Sequence, residues 1–353
     1  HYRYGKNNKK KYKKKCYFKM NEPIIIAEAG VNHNGKINLA KKLIDLASNA
    51  KADYVKFQLY KTDDIVTEQA QLAGYQKKNM STSISQNEML KKYELNIVAV
   101  KELINYSKKK KIKFLCTPFD VESAKLLIKC GIKEFKISSP DIDNFPLLST
   151  VCKYATRIFL SSGMSTLKDI SNVLNFLKKK KFKKKNIFIL HCTSDYPAKK
   201  KELNLLAIKL IKNKFDVNTG YSDHTIGNLA SISAVVMGSK VIEKHITLNK
   251  KYKGPDHLLS MTEIEFTKFT KLLKDIPIIL GSEIKKITNG EKKNYKSIKR
   301  SVFLNKDIKK GEKFTINHFI CKRPSYKMSS INWSKFLYKK SSKEIKKGTL
   351  LKI

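Results

Sequence analysis

One recurrence limits this chain's fold more than any other feature. Eight short β-rich runs occur, nearly all followed by a helix-like stretch. They are IIIAEAG (24–30), YVKFQLY (54–60), KFLCTPF (113–119), EFKISSP (134–140), RIFLSSG (157–163), IFILHCT (187–193), VNTGYSDH (217–224) and KVIEKHIT (240–247). Near-continuous apolar runs suit strands buried on both faces, and strand–helix alternation suits a parallel sheet. Eight βα units in about 250 residues have the number and size of a (β/α)8 TIM barrel. The competing reading is a doubly wound open sheet. That fold normally carries G-x-G-x-x-G after its first strand, and the pattern is missing here.

The first run raises a question of its own. Ile24–Ile26 look like core, yet Glu28, Asn32, His33 and Asn34 follow at once. A barrel answers it, because the C-terminal strand ends face one shared pocket. Those ends read Glu28; Lys56 and Gln58; Thr117; Lys136 and Ser139; Ser161 and Ser162; His191 and Thr193; Ser222, Asp223 and His224; Glu243, Lys244 and His245. A single polar strand end is usually a turn residue. Polar ends on nearly every strand point to an active site for an anion and a metal.

Each feature has a plainer reading beside it. Lys56 and Lys136 sit in apolar strands, where an uncompensated ammonium is costly. A phosphate or carboxylate ligand, helped by Thr117, Ser139 and Ser161, would compensate them; so would barrel carboxylates. His224 and His245 end adjacent strands and either share a divalent ion or form separate hydrogen bonds. Sparse imidazole ligation with open positions suits Mn²⁺ or Mg²⁺ better than structural zinc. Glu28 fits a general base, an anchor beside the metal, or a partner for Lys56.

Composition excludes more than it proposes. The formal net charge is +44, which invites a nucleic-acid reading. Yet the arginines are only Arg3, Arg157, Arg300 and Arg323, and base readers rely on arginine forks. No specific nucleic-acid partner is therefore expected, although the positive field would gather an anionic substrate. No apolar run is long enough for a membrane span. The six cysteines form no C-x-x-C pair, and several lie in apolar runs. This composition fits reduced thiols in a cytoplasmic protein. Residues 1–19, a Lys/Tyr/Asn tract, are expected to be a disordered basic extension, with Met20 as the start of the folded chain. The barrel is expected over 20–275, a polar linker over 276–296 and a small β-rich domain over 297–353.

The motifs IIAEAGVNHNG, VKFQ, TPFD, SSGMST, LHCTSDYP, GYSDHT, VIEKHIT and GPDH occur in that order. In this the chain resembles the sialic acid synthase family: N-acetylneuraminate synthase and its legionaminate and pseudaminate relatives. The tail KDIKKGE…KRP resembles the family's C-terminal antifreeze-like (SAF) domain. The resemblance implies condensation of phosphoenolpyruvate with an N-acyl hexosamine, N-acetylmannosamine in the type case, and release of phosphate. It implies a metal, Mn²⁺ with Mg²⁺ or Co²⁺ as alternatives, on His224 and His245. Lys56, Thr117, Lys136, Ser139, Ser161 and Ser194 match phosphoenolpyruvate positions. Gln58, Asp141, Tyr196 and Asp256 match sugar-side positions. Arg323 matches an arginine delivered to the partner's barrel, which implies a domain-swapped homodimer. AEAGVNHNG and GPDH lie closer to the neuraminate and legionaminate branches than to the pseudaminate branch. Two departures stand out: Ser139-Pro140-Asp141 replaces the usual S-G-E, and SYKMSS follows Arg323-Pro324 in place of a glycine turn. A different barrel aldolase, using a Schiff-base lysine, is the alternative outside the family.

Overall fold

The structure is a computed structural model that describes residues 21–80, 84–326 and 330–351. The expected disordered tract, 1–19, lies outside the described residues. The chain divides into two compact units between Ser282 and Glu283.

In the first unit, β1 (Ile24–Glu28) leads to α1 (Ile37–Asn49) and β2 (Tyr54–Leu59). Short helices α2 (Thr62–Ile65), α3 (Gly74–Met80) and α4 (Gln86–Tyr93) precede α5 (Ile97–Lys109). Then alternate β3 (Lys113–Pro118), α6 (Val121–Lys129), β4 (Glu134–Ile137), α7 (Phe145–Cys152), β5 (Arg157–Ser161) and α8 (Leu167–Lys179). The unit ends with β6 (Ile187–His191), α9 (Leu206–Phe215), β7 (Asn218–Asp223), α10 (Leu229–Val236), β8 (Val241–His245) and α11 (Glu263–Leu280). All eight strands are parallel, and β1 pairs with β8 to close the barrel. That closing pair rules out the open sheet.

The helices form for local reasons. In α1 the buried Ala40, Leu43, Ile44 and Ala47 recur on one face at helical spacing. Thr166 caps α8 with Asp169 in a reciprocal capping box, and Ile170, Val173 and Leu177 turn inward. The segment between β2 and α5 is largely polar and has no strand among its described residues. Its polar composition hid three short helices; α4 starts on a capping box between Ser85 and Glu88.

Two cores result. One lies between the strands and the surrounding helices. The other fills the barrel's N-terminal half with Ile26, Tyr54, Leu115, Phe159, Phe188, Leu190 and Val241. The Tyr54 hydroxyl donates to Glu134 (2.7 Å) and accepts from Arg157 (2.8 Å), which closes that end.

In the second unit α12 (Asn289–Ile298) precedes β9 (Ser301–Leu304), which pairs antiparallel with β10 (Phe319–Lys322). Val302, Leu304, Ile308, Phe314 and Leu351 form its small core. Within the stretch expected as linker, α11 runs on to Leu280 and α12 begins at Asn289.

Candidate active site

Side chains on a strand alternate between faces, so each strand sends every second residue into the barrel. Following the inward series upward, Ile26 leads to Glu28, Tyr54 to Lys56 and Gln58, Leu115 to Thr117, Phe159 to Ser161, and Val241 to Glu243 and His245. The series changes from apolar to charged at one level. Above that level lies a cavity of about 840 Å³. Glu28, Lys56, Gln58, Thr117, Lys136, Ser139, Asp141, Ser161, Ser194, Tyr196, His224, His245 and Asp256 all line it. Ser139, Asp141, Ser194, Tyr196, His224 and Asp256 lie beyond the strand ends, on loops. Arg323 belongs to the second unit, where it is exposed and its Nε donates to the Ile298 carbonyl (3.0 Å).

The floor is a buried charge cluster. Lys56 Nζ stands 2.6 Å from Glu243 and 3.4 Å from Glu28, and Lys136 Nζ stands 3.7 Å from Glu243. Burial alone would lower the Lys56 pKa, but attraction to Glu243 and Glu28 outweighs it and holds the ammonium. Burial likewise opposes ionisation of Glu243, yet Lys136 and Lys56 keep its carboxyl well below the usual range. Burial pushes Glu28 up to about 7 against the attraction of Lys56. It pulls Lys136 down to about 8 despite Glu243. Two lysines thus face two carboxylates in the floor, and Glu28, pushed up to about 7 by burial, is the carboxyl readiest to take up a proton and leave the cluster positive. The structure therefore bears out the carboxylate-pairing reading of the lysines, with Glu243 as the shared partner.

One wall carries hydroxyls. The Gly163 amide donates to Ser139 Oγ (3.1 Å), and Ser161 Oγ is buried without a hydrogen-bond partner among the described residues. A Cβ on Gly163 would collide with Ser194 Oγ and lie 2.9 Å from Ser139 Oγ. Glycine here keeps open a cradle lined by hydroxyls. Asp141 is engaged locally: Ser138 donates to one carboxylate oxygen and Asn144 to the other (3.1 Å).

The next stretch of the rim, from the β6 loop to β8, holds the imidazoles. The Tyr196 ring stacks on His224 at 4.1 Å and meets His245 edge-on at 5.9 Å. The two histidine rings lie 5.7 Å apart. Burial pulls His224 down to about 4 and His245 well below its usual value, so both are neutral donors of a lone pair. The Thr193 carbonyl engages His224 Nδ1 (2.7 Å), and His245 Nδ1 is buried without a hydrogen-bond partner among the described residues. A divalent ion fits this donor set through two imidazoles. Among the described residues no group of three or more His, Cys, Asp or Glu is placed to hold one, so substrate and water would complete its sphere. Asp256 lies beside His245 (3.7 Å), and burial raises its pKa to about 7.

Sequence reasoning placed Glu243 at a strand end but gave it no role. The inward series Val241, Glu243, His245 was the signal. It also missed Tyr75, on α3, which packs against Tyr196 at 4.6 Å. Nothing in the polar stretch around Tyr75 marks it, since only the folded chain brings α3 over the mouth. Asp223 and Lys244 belong to the outward series instead. Asp223 Oδ2 and Lys244 Nζ form a fully buried pair at 3.1 Å.

The NeuB family matches residues 43–285. The chain is 44% identical to the N,N'-diacetyllegionaminic acid synthase of Campylobacter jejuni over 94% of its own length and 100% of that protein's. It is 37% identical to the synthase of the same name from Legionella pneumophila, covering 93% and 92%. The crystal structure of N-acetylneuraminic acid synthetase from Leptospira borgpetersenii superposes with a TM-score of 0.68 at 34% identity, over 78% of this chain and 90% of that one.

Proposed function

Because the chain belongs to the NeuB family, the sialic acid synthases, we propose that it condenses phosphoenolpyruvate with an N-acyl hexosamine and water. The products are a nonulosonic acid and inorganic phosphate. The observation that carries this reading is the placement of two buried lysines, Lys56 and Lys136, in the floor beside the hydroxyl cradle around Gly163. Residues 20–275 are the synthase domain in this reading, and 297–353 the antifreeze-like (SAF) domain.

In the reaction, C3 of phosphoenolpyruvate forms a bond to the aldehyde carbon of the open-chain sugar. Water adds to C2, and the C2–O bond to phosphate breaks. Of the two protons of that water, one ends on the former aldehyde oxygen and one on the departing phosphate. Lys56, Lys136, Thr117, Ser139, Ser161 and Ser194 hold the phosphate and carboxylate by charge-assisted hydrogen bonds. Glu28, poised near neutrality, takes up and returns a proton at C2's end of the cavity. Gln58, Tyr196 and Asp256 orient the sugar. A divalent ion on His224 and His245, Mn²⁺ or else Mg²⁺ or Co²⁺, would polarise the aldehyde oxygen and orient the water.

Two sugars fit the reading. N-acetylmannosamine is the type acceptor. A 6-deoxy diacetamido sugar is favoured by the names of the two bacterial synthases above. The apolar Val66, Leu90 and Phe119 on the cavity wall also suit a methyl better than a hydroxymethyl group. The test is direct: the protein, phosphoenolpyruvate and Mn²⁺ are mixed with each sugar, and phosphate and 2-keto acid are followed. Phosphate release matched by keto-acid formation is expected, faster with the diacetamido sugar. No release with any N-acyl hexosamine would overturn the reading.

A further inference from the structure

The polar run Asn32-His33-Asn34 and the residue His257 have no part in the chemistry above, yet all four are buried or half-buried. The loop that leaves β8 runs from Ile246 to Met261, which pair as an isolated bridge. It carries Asp256 into the cavity. What fixes that loop comes from the other side of the barrel seam, where β1 ends.

His257 is completely buried and follows Asp256 directly. Its Nε2 faces Asn34 Oδ1 (3.2 Å) and its Nδ1 faces Thr247 Oγ1 (2.8 Å). A carbonyl oxygen only accepts, so Nε2 donates to Asn34, while Nδ1 meets the Thr247 hydroxyl, whose single proton also has the Asn249 carbonyl within reach (3.1 Å). Asn34 sits at φ +50°, a conformation that asparagine tolerates better than most residues. Gly254 passes so close over the ring that a Cβ would lie 2.8 Å from His257 Cδ2 and 3.4 Å from Asn34 Oδ1. The backbone is tied as well. Asn32 Nδ2 donates to the Ile246 carbonyl (2.8 Å) and to Ser260 Oγ (2.9 Å), and Ser260 Oγ donates to the Asp256 carbonyl (2.6 Å).

We propose that the Asn34–His257–Thr247 chain of hydrogen bonds is a positioning device that aims the Asp256 carboxylate at the sugar. The loop after β1 clamps the loop after β8, and the residue next to Asp256 is the one gripped. In GPDH, Gly254 makes room for the ring, Asp256 faces the sugar and His257 is the anchor. This rests on the sugar-side reading of Asp256, and the test separates the two.

Steady-state kinetics of the full chain, with phosphoenolpyruvate and an accepted sugar, provide the test. Asp256→Ala raises the sugar KM; an unchanged sugar KM in that variant would overturn the reading of Asp256 itself. His257→Ala and Asn34→Gly raise the sugar KM about five- to a hundredfold, as expected for a broken buried hydrogen bond, with the KM for phosphoenolpyruvate unchanged. Asn34→Gly removes the acceptor without straining the left-handed backbone, and it decides the matter if His257→Ala does not fold. His257→Gln, which keeps a donor, recovers part of the loss. On an Asp256→Ala background, His257→Ala adds nothing to the sugar KM, because it acts only through the missing carboxylate. With Asp256→Ala effective, the proposal is overturned by an unchanged sugar KM in both anchor variants. It is overturned equally by matched rises in both KM values, or by a further rise on the Asp256→Ala background.

Discussion

At the residue scale, the buried floor makes different demands on its two lysines. Lys56 is the 2.6 Å partner of Glu243, whereas Lys136 stands 3.7 Å away. Lys56→Met therefore strands a buried carboxylate and is expected to lower the unfolding midpoint far more than Lys136→Met does. Both variants should raise the KM for phosphoenolpyruvate about ten- to a hundredfold, since a lost charge-assisted hydrogen bond costs about 1.5–3 kcal/mol. Equal stabilities, or wild-type use of phosphoenolpyruvate, would contradict this placement. Glu28 has a distinct signature. Its folded pKa is raised to about 7 from an ordinary 4.5. A raised carboxyl favours the folded state at low pH, and that contribution is lost as pH rises through about 7. Glu28→Gln cannot ionise, so its Tm relative to the parent should climb between pH 5 and pH 8. Parallel Tm curves over that window would refute it.

At the element scale, β7 and β8 are bound by a device that the cavity does not see. Asp223 and Lys244 pair across the strand register, and both point outward beneath α10. The Asp223 carboxylate also accepts from the Thr225 amide (2.8 Å), the Thr225 hydroxyl (2.7 Å) and Ser231 on α10 (2.6 Å), while Lys244 donates to the Thr225 carbonyl. Each member of the pair lies between two cavity residues in sequence, Asp223 between Ser222 and His224, and Lys244 between Glu243 and His245. Lys244→Met leaves a buried carboxylate without its cation and should cost about 3–5 kcal/mol in urea unfolding. By contrast, Thr166→Ala removes only a helix cap on α8 and should cost about 1 kcal/mol with kinetics intact. A similar cost for both would deny the pair its role.

At the scale of the whole molecule, two predictions follow from the proposed function. Chelation should abolish turnover, and Mn²⁺, Co²⁺ or Mg²⁺ should restore it. His224→Ala and His245→Ala should bind less metal by elemental analysis while keeping the parent's circular dichroism. Full turnover at zero metal content would remove the ion from the reaction. The family resemblance also implies a homodimer to which Arg323 is contributed in trans. Mixed with subunit exchange, inactive His245→Ala and Arg323→Ala chains should then regain about a quarter of wild-type activity, on symmetric-dimer statistics. No recovery after demonstrated exchange would place Arg323 outside the partner's site.

The barrel was legible in the sequence because strand burial on both faces and helical periodicity leave marks on consecutive residues. The strand-end chemistry was legible too, since parity along a strand sets which residues face inward: Val241, Glu243 and His245 share a face by covalent geometry alone. Other facts needed the fold. The pairing of Lys56 with Glu243 joins β2 to β8, and the grip of Asn34 on His257 spans over two hundred residues of chain. Protonation of Glu28 depends on how much water and how many ammoniums surround it, and Tyr75 reaches the mouth only through the placement of α3. Local pattern determines which way a side chain points from its own backbone. Which charges then meet, and in how dry a place, is set by the closure of the barrel, because desolvation and Coulomb attraction act through space and leave no trace along the chain.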